Sequence, residues 1–164
     1  MKKILFILTI FLFLNNCGGF EFVYNKSNNE FLLKDTTEIT VDGDEAYRIF
    51  ILLNDRIGYN EDSPKYKLLI NSIKTETAKS IDKDATASQF IIEYLISYDL
   101  YNLNKNCKIL NKKITTHSTY NAKSAGYSFG TSFSQKESIT QNINKNITEF
   151  VSFIKTFAKI NNCG

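Results

Sequence analysis

From Thr37 to Val41 apolar and polar side chains alternate, and Ile39, Thr40 and Val41 are β-branched, so the segment predicts a short strand. The period then lengthens. Ala46, Ile49, Phe50, Leu53 and Ile57 fall on one stripe of a helix over about residues 44–57, with Gly58 as its C-terminal stop. Asp42 and Glu45 spell a capping box ahead of it. Beyond Pro64, alternation returns over Tyr66 to Thr77, with Tyr66, Leu68 and Ile70 opposite Leu69, Asn71 and Ile73. Asp82-Lys83-Asp84 supplies a polar turn into a long third strand, Thr86 to Tyr101. There Phe90, Ile92, Tyr94, Ile96, Tyr98 and Leu100 make an almost wholly apolar face, while the Glu93, Ser97 and Asp99 side becomes polar toward the end. Asn102 to Asn106 reverses the chain into a fourth strand, Cys107 to Tyr120, forming a hairpin. After a loop punctuated by Gly126 and Gly130, Ser134-Gln135-Lys136-Glu137 spells a second capping box. A helix from Gln135 to Lys159 follows, with Ile139, Ile143, Ile147, Phe150, Ile154 and Phe157 on a continuous stripe.

The order β-α-β-β-β-α predicts an α+β, two-layer sandwich: a four-stranded, mostly antiparallel sheet with both helices packed on one face. The opposite face should be more polar and accessible. A single domain over residues 36–160 accounts for this pattern, with a short tail at 161–164.

The start of the chain has a different logic. Lys2 and Lys3 precede an unbroken apolar run from Ile4 to Leu14, too short for a spanning helix, which needs about 20 residues. The run ends at Leu14-Asn15-Asn16-Cys17, which resembles a bacterial lipobox. Residues 1–16 are therefore expected to be a lipoprotein signal peptide, and Cys17 to become the lipidated first residue of the mature chain, carrying acyl chains such as palmitate. The alternative is an ordinary secretory signal followed by a chance cysteine. Gly18 in place of an Asp leaves the cell outer membrane as the expected destination. Residues 17–35, with Asn25, Ser27, Asn28 and Asn29 among scattered apolar positions, read as a tether.

Removing Lys2 and Lys3 with the signal lowers the formal charge from +3 to +1, which gives no support to nucleic-acid binding. With Cys17 lipidated, Cys107 and Cys163 remain as candidates for a disulfide in an oxidising compartment. One histidine, His117, lies in a hydroxyl-rich strand, and no acid is evident to orient it nor a glycine elbow before a serine, so ordinary solvated strand surface is the expected reading. The acid pairs Glu61/Asp62 and Asp82/Asp84 sit in turn-like segments where solvated carboxylates are common. No metal spacing, phosphate loop or dinucleotide fingerprint is present, so neither an enzyme nor a cofactor is expected. The suggestive charges are lysines on and around the last hairpin: Lys105, Lys108, Lys112, Lys113 and Lys123. Such ammonium groups either engage phosphates or keep an edge strand from pairing with strangers.

Cys17-Gly18-Gly19-Phe20 with Tyr24, Tyr66-Lys67-Leu68, Asp84-Ala85-Thr86-Ala87, Tyr94 with Tyr98-Asp99-Leu100, Ser118-Thr119-Tyr120-Asn121 and Ser124-Ala125-Gly126-Tyr127, followed by an amphipathic helix, run in order along nearly the whole mature chain. This arrangement resembles the lipopolysaccharide-assembly lipoprotein family LptE, most of all its alphaproteobacterial branch. The chain departs from that branch at Gln89, where an Arg is usual, in its second glycine before Phe20, and at Ser138-Ile139-Thr140-Gln141, where an alanine-rich, acidic opening is usual. The resemblance implies a fold of two helices on a four-stranded sheet and a role as plug and assembly factor of the outer-membrane lipopolysaccharide transport β-barrel. It also implies lipopolysaccharide as a ligand, for which Lys112 and Lys113, then Lys108 and Lys123, are the candidate contacts. The competing expectation is a free, periplasm-facing ligand-binding or inhibitor lipoprotein of similar fold; a hydrolase anchored on His117 comes third.

Overall fold

A computed structural model describes residues 32–81, 87–122 and 128–157. Its elements follow the expected order: β1 (Thr37–Gly43), α1 (Ala46–Ile57), β2 (Tyr66–Ile81), β3 (Ala87–Asn102), β4 (Cys107–Asn121) and α2 (Ser128–Thr156). They make an α+β sandwich whose four strands lie in spatial order β1-β2-β3-β4. β1 pairs with β2 in parallel, and α1 supplies the crossover that parallel neighbours need. β2, β3 and β4 form an antiparallel meander.

Both helices cover the face that carries Leu68, Ile70, Ile92, Tyr94, Ile96, Tyr98, Leu100 and Ile114. α1 buries Ile49, Leu53 and Ile57, and α2 buries Ile139, Ile143, Ile147, Phe150 and Ile154, the stripes seen in the sequence. Each such side chain removed from water contributes about 1.5–3 kcal/mol. Tyr98 stacks on Phe150 with 3.9 Å between ring centroids, tying the central strand to α2. The helices run side by side in the same direction: Arg48 donates to Thr140 Oγ1, and about two turns further on Arg56 donates to Thr148 Oγ1 and Asn144 Oδ1. Leu33, placed with the tether in the sequence, is fully buried in this core, and its carbonyl accepts from Thr37 Oγ1.

The structure corrects three local expectations. No capping box forms at Asp42–Glu45: Glu45 is itself the N-cap in a left-handed conformation without a side-chain cap, and its carboxylate instead receives Arg48 Nε at 3.0 Å. The tight exit from β1 takes precedence over capping, because Gly43 lies with φ +94° against the backbone of Ser72 and Asp44 Oδ2 accepts from the Lys74 amide. Likewise Ser134 does not start α2. That helix begins at Ser128 and so includes Gly130, which the sequence pattern had placed in a loop. Helix propagation upstream costs little once the sheet-facing stripe is docked.

Candidate functional site

Strand alternation and register place the side chains of the uncovered sheet face in transverse rows. One row runs Glu38, Lys67, Tyr101 and Lys108; others pair Leu69 with Asp99 and Asn111, Asn71 with Ser97 and Lys113, and Thr75 with Glu93 and His117. The face is polar at both flanks, as expected, with Ile73 and Leu95 as an apolar interruption near its centre.

The three candidate lysines among the described residues do not act as one cluster. Lys108 lies on the open face with Nζ 2.7 Å from Asp99 Oδ1, and its ammonium also sits 5.7 Å from the centroid of the Tyr101 ring. Partial burial works against the Asp99 charge, but hydrogen bonds from Lys108 and from Asn111 Nδ2 outweigh it and hold the carboxyl below its ordinary range. The same bond raises the Lys108 ammonium above its usual value. Lys108 is thus largely neutralised by its neighbour. Lys112 and Lys113, adjacent on a strand, project to opposite faces: Lys113 to the open face, Lys112 to the helix side, where its Nζ lies 4.8 Å from the centroid of the Phe153 ring. Among the described residues neither has a carboxylate within 4 Å, the distance that defines an ion pair. They nonetheless line one groove of about 330 Å³ with Ile114, Thr115, Glu149 and Phe153. Lys123, Cys17 and Cys163 lie outside the described residues. Cys107, at the start of β4, is disulfide-bonded.

For His117 the structure supplies what the sequence did not reveal, an acid partner: Glu93, directly across the β3–β4 ladder, brings Oε2 to 3.2 Å from Nδ1. The pair is still surface chemistry. Its side chains are 58% and 45% exposed. Among the described residues no group of three or more His, Cys, Asp or Glu is placed to hold a metal ion, and no helix is long and apolar enough to cross a membrane.

The residues that fix the groove's walls were not singled out in the sequence. Ser138, Asn142 and Asn146, spaced by four along α2, form a polar seam beside the Ile stripe. Ser138 Oγ donates to the Thr119 carbonyl while Ser118 Oγ donates to the Ser138 carbonyl. Asn142 Nδ2 reaches the Ile92 carbonyl at 2.9 Å. Asn146 Nδ2 reaches the Ile114 carbonyl and Thr116 Oγ1, and its Oδ1 accepts from the Tyr98 hydroxyl at 2.8 Å. Burial drives the Tyr98 hydroxyl far above the usual tyrosine range, so it stays a proton donor. At the other end, the Tyr120 hydroxyl donates to Glu76, which Gln135 also contacts. A repeat of small polar residues at i, i+4 and i+8 was the available signal, since it puts hydrogen-bonding groups on the buried stripe. Through these bonds α2 lies antiparallel to β4 and close along it, and Glu149 and Phe153 come to stand beside Lys112.

No family model matches the chain, and no curated protein matches it in sequence. Similarity appears in the fold. A candidate lipoprotein from Caulobacter crescentus superposes with a TM-score of 0.57 at 16% identity, covering 75% of this chain and 90% of that one. Rare lipoprotein B from Shewanella oneidensis gives 0.57 at 10% identity, covering 76% and 97%. Lipoprotein B from Nitrosomonas europaea gives 0.55 at 7% identity, covering 77% and 90%. The chain shares the fold of these lipoproteins: two helices on one face of a four-stranded mixed sheet.

Proposed function

We propose that this chain is an outer-membrane lipoprotein, anchored through acyl chains on Cys17, that plugs and helps assemble the lipopolysaccharide transport β-barrel and assists insertion of lipopolysaccharide into the outer leaflet. The observation that carries the reading is the fold, shared across nine-tenths or more of a candidate lipoprotein from one organism and of rare lipoprotein B from another, on a chain that begins with a lipobox-like leader. Physical chemistry supports it. One sheet face is sealed by helices, while the other presents a polar surface suited to a wet barrel lumen. No bond is made or broken in this role, and the protein acts by binding and by occupying space. Lys113 and Lys112 are the favoured phosphate contacts, because among the described residues neither is paired to a carboxylate. Lys108 contributes less, being held by Asp99.

The test is affinity purification of tagged full-length protein from detergent-solubilised outer membranes of the native host, with mass spectrometry of what remains bound. One large β-barrel protein recovered in near-equal amount is the expected result. Recovery of the lipoprotein alone, under conditions that keep other barrel complexes intact, would favour a free periplasm-facing binding module instead. Fatty-acid labelling should disappear in Cys17→Ser, and a label that persists would refute the anchor.

A further inference from the structure

β4 is an edge strand, and its hydrogen-bond parity can be read from the ladder. The Ala122 amide donates to the Ser88 carbonyl, and across the other side of β3 the Leu103 amide donates to the Lys65 carbonyl. With the observed register, even-numbered residues from Leu110 to Tyr120 therefore exchange backbone bonds with β3. Asn111, Lys113, Thr115, His117, Thr119 and Asn121 direct their N–H and C=O groups outward. Among the described residues no further strand pairs with this edge, which is about 34 Å long and contains no proline; of its outward groups, the Thr119 carbonyl accepts from Ser138 Oγ.

Beside its first half lies the groove of about 330 Å³. It is lined by strand residues Lys112 to Thr115 and by Glu149 and Phe153 of α2. A free strand edge with a helix alongside is the arrangement in which an added strand gains main-chain bonds on one side and side-chain pockets on the other. The charge of the lining selects the occupant. Two lysines and one glutamate are among the lining residues, so the groove is net positive, and Ile114 with the Phe153 ring supplies an apolar patch. Lysines at this edge repel a second copy of β4 and favour a strand of opposite charge.

We infer that the β4–α2 groove binds an extended segment of a partner protein by strand addition, with apolar side chains entering between Ile114 and Phe153 and acidic side chains meeting Lys112 and Lys113. Alternation fits the two demands. Successive residues of the added strand point to opposite faces, one set toward α2 and the other toward the open face beside Lys113 and Thr115. Strand addition and a phosphate held by the same two lysines would exclude each other.

The experiment is residue-level hydrogen–deuterium exchange on the mature full-length protein in detergent micelles. The probe is a blocked ten-residue peptide in which glutamate alternates with valine and phenylalanine, with the same peptide carrying lysine for each glutamate as control. The acidic peptide should slow exchange at Lys113, Thr115 and His117 by about tenfold or more and leave Ile114 and Thr116, already bonded to β3, unchanged; the lysine peptide should do neither. Thr115→Pro, which removes an outward amide and no ladder bond, should abolish the effect. Phe153→Ala and Lys112→Glu, which leave the strand backbone intact, should each weaken the acidic peptide severalfold even if the proline variant does not fold. Three results would overturn the inference. The acidic peptide fails to protect these amides, or both peptides protect them equally; the amides are already slow without peptide, meaning that a second copy or another segment of the chain covers the edge; or anionic vesicles bind through Lys112 while the outward amides exchange freely.

Discussion

Asn146 and Asn142 sit one turn apart on the same buried stripe, yet the structure gives them unequal weight. Asn146 is fully buried and completes three hydrogen bonds, to the Ile114 carbonyl, to Thr116 Oγ1 and from the Tyr98 hydroxyl. Replacing it with Leu keeps the branched shape and the number of side-chain heavy atoms but strands the Tyr98 hydroxyl, which is itself fully buried. An unmade bond of that kind costs about 1–3 kcal/mol, and the lost bonds to Thr116 and Ile114 bring the expected total for Asn146→Leu to about 2–4 kcal/mol. Asn142 donates one bond, to the Ile92 carbonyl, and its buried Oδ1 has no hydrogen-bond partner among the described residues. Asn142→Leu removes that desolvated acceptor along with the bond, so its net effect should lie within about 1 kcal/mol of zero. Thr116 Oγ1 donates to the Asn142 backbone carbonyl and is not affected by the change. Equilibrium urea unfolding of the chain without its signal measures both. In a Tyr98→Phe background, which keeps the ring stacked on Phe150, Asn146→Leu should become cheaper by about 1–2 kcal/mol. Equal costs at 142 and 146, or no coupling between 98 and 146, would refute the assignment of the seam's energy to the Tyr98–Asn146 bond.

Three further outcomes are expected. Asp99 is held below its unfolded range, so the Lys108–Asp99 pair stabilises the fold above about pH 4 and loses that contribution as pH falls through the lowered native value. Lys108→Ala should therefore lower the urea midpoint at pH 7, and by less once acid has protonated Asp99; an equal effect at both would show that packing on Tyr101, and not charge, is what Lys108 provides. Gly43→Ala should destabilise by about 2 kcal/mol or more, because φ is +94° and a Cβ there would meet the Ser72 carbonyl oxygen at 2.1 Å. A melting temperature unchanged by that substitution would mean the β1 exit relaxes freely. We propose that the partner of disulfide-bonded Cys107 is Cys163, since a thioether to lipid consumes the Cys17 sulfur. Cys163→Ser should then expose one alkylatable thiol, and a blocked Cys107 in that variant would point elsewhere.

The sequence carried the elements and faces because period alone sets them. Ile92, Tyr94, Ile96, Tyr98 and Leu100 are buried as their alternation required, and α2 turns its isoleucines to the sheet. Capping signals were less dependable: Asp42 and Ser134 have the right chemistry, but the Gly43 turn and the upstream extension of α2 decide where the helices start. What period cannot encode is register. Glu93 and His117 are 24 positions apart in sequence and meet only because the hairpin aligns them, as do Asp99, Asn111 and Lys108.

The same gap between pattern and register governs the candidate site. Read along the chain, Lys112 and Lys113 are neighbours and look like one phosphate clamp. In the sheet they diverge, one toward α2 and one toward the open face, and what unites them is that both flank the unpaired edge of β4. Parity sharpens the point. Residues 111 to 121 of odd number carry the open-face side chains and also the outward amides, so a single added strand would read Lys113, Thr115 and His117 through backbone and side chain together. A phosphate would read only the ammonium groups. Lys113→Ala and Thr115→Pro therefore separate the two modes: the first should weaken both, and the second should leave phosphate binding unchanged while eliminating strand addition.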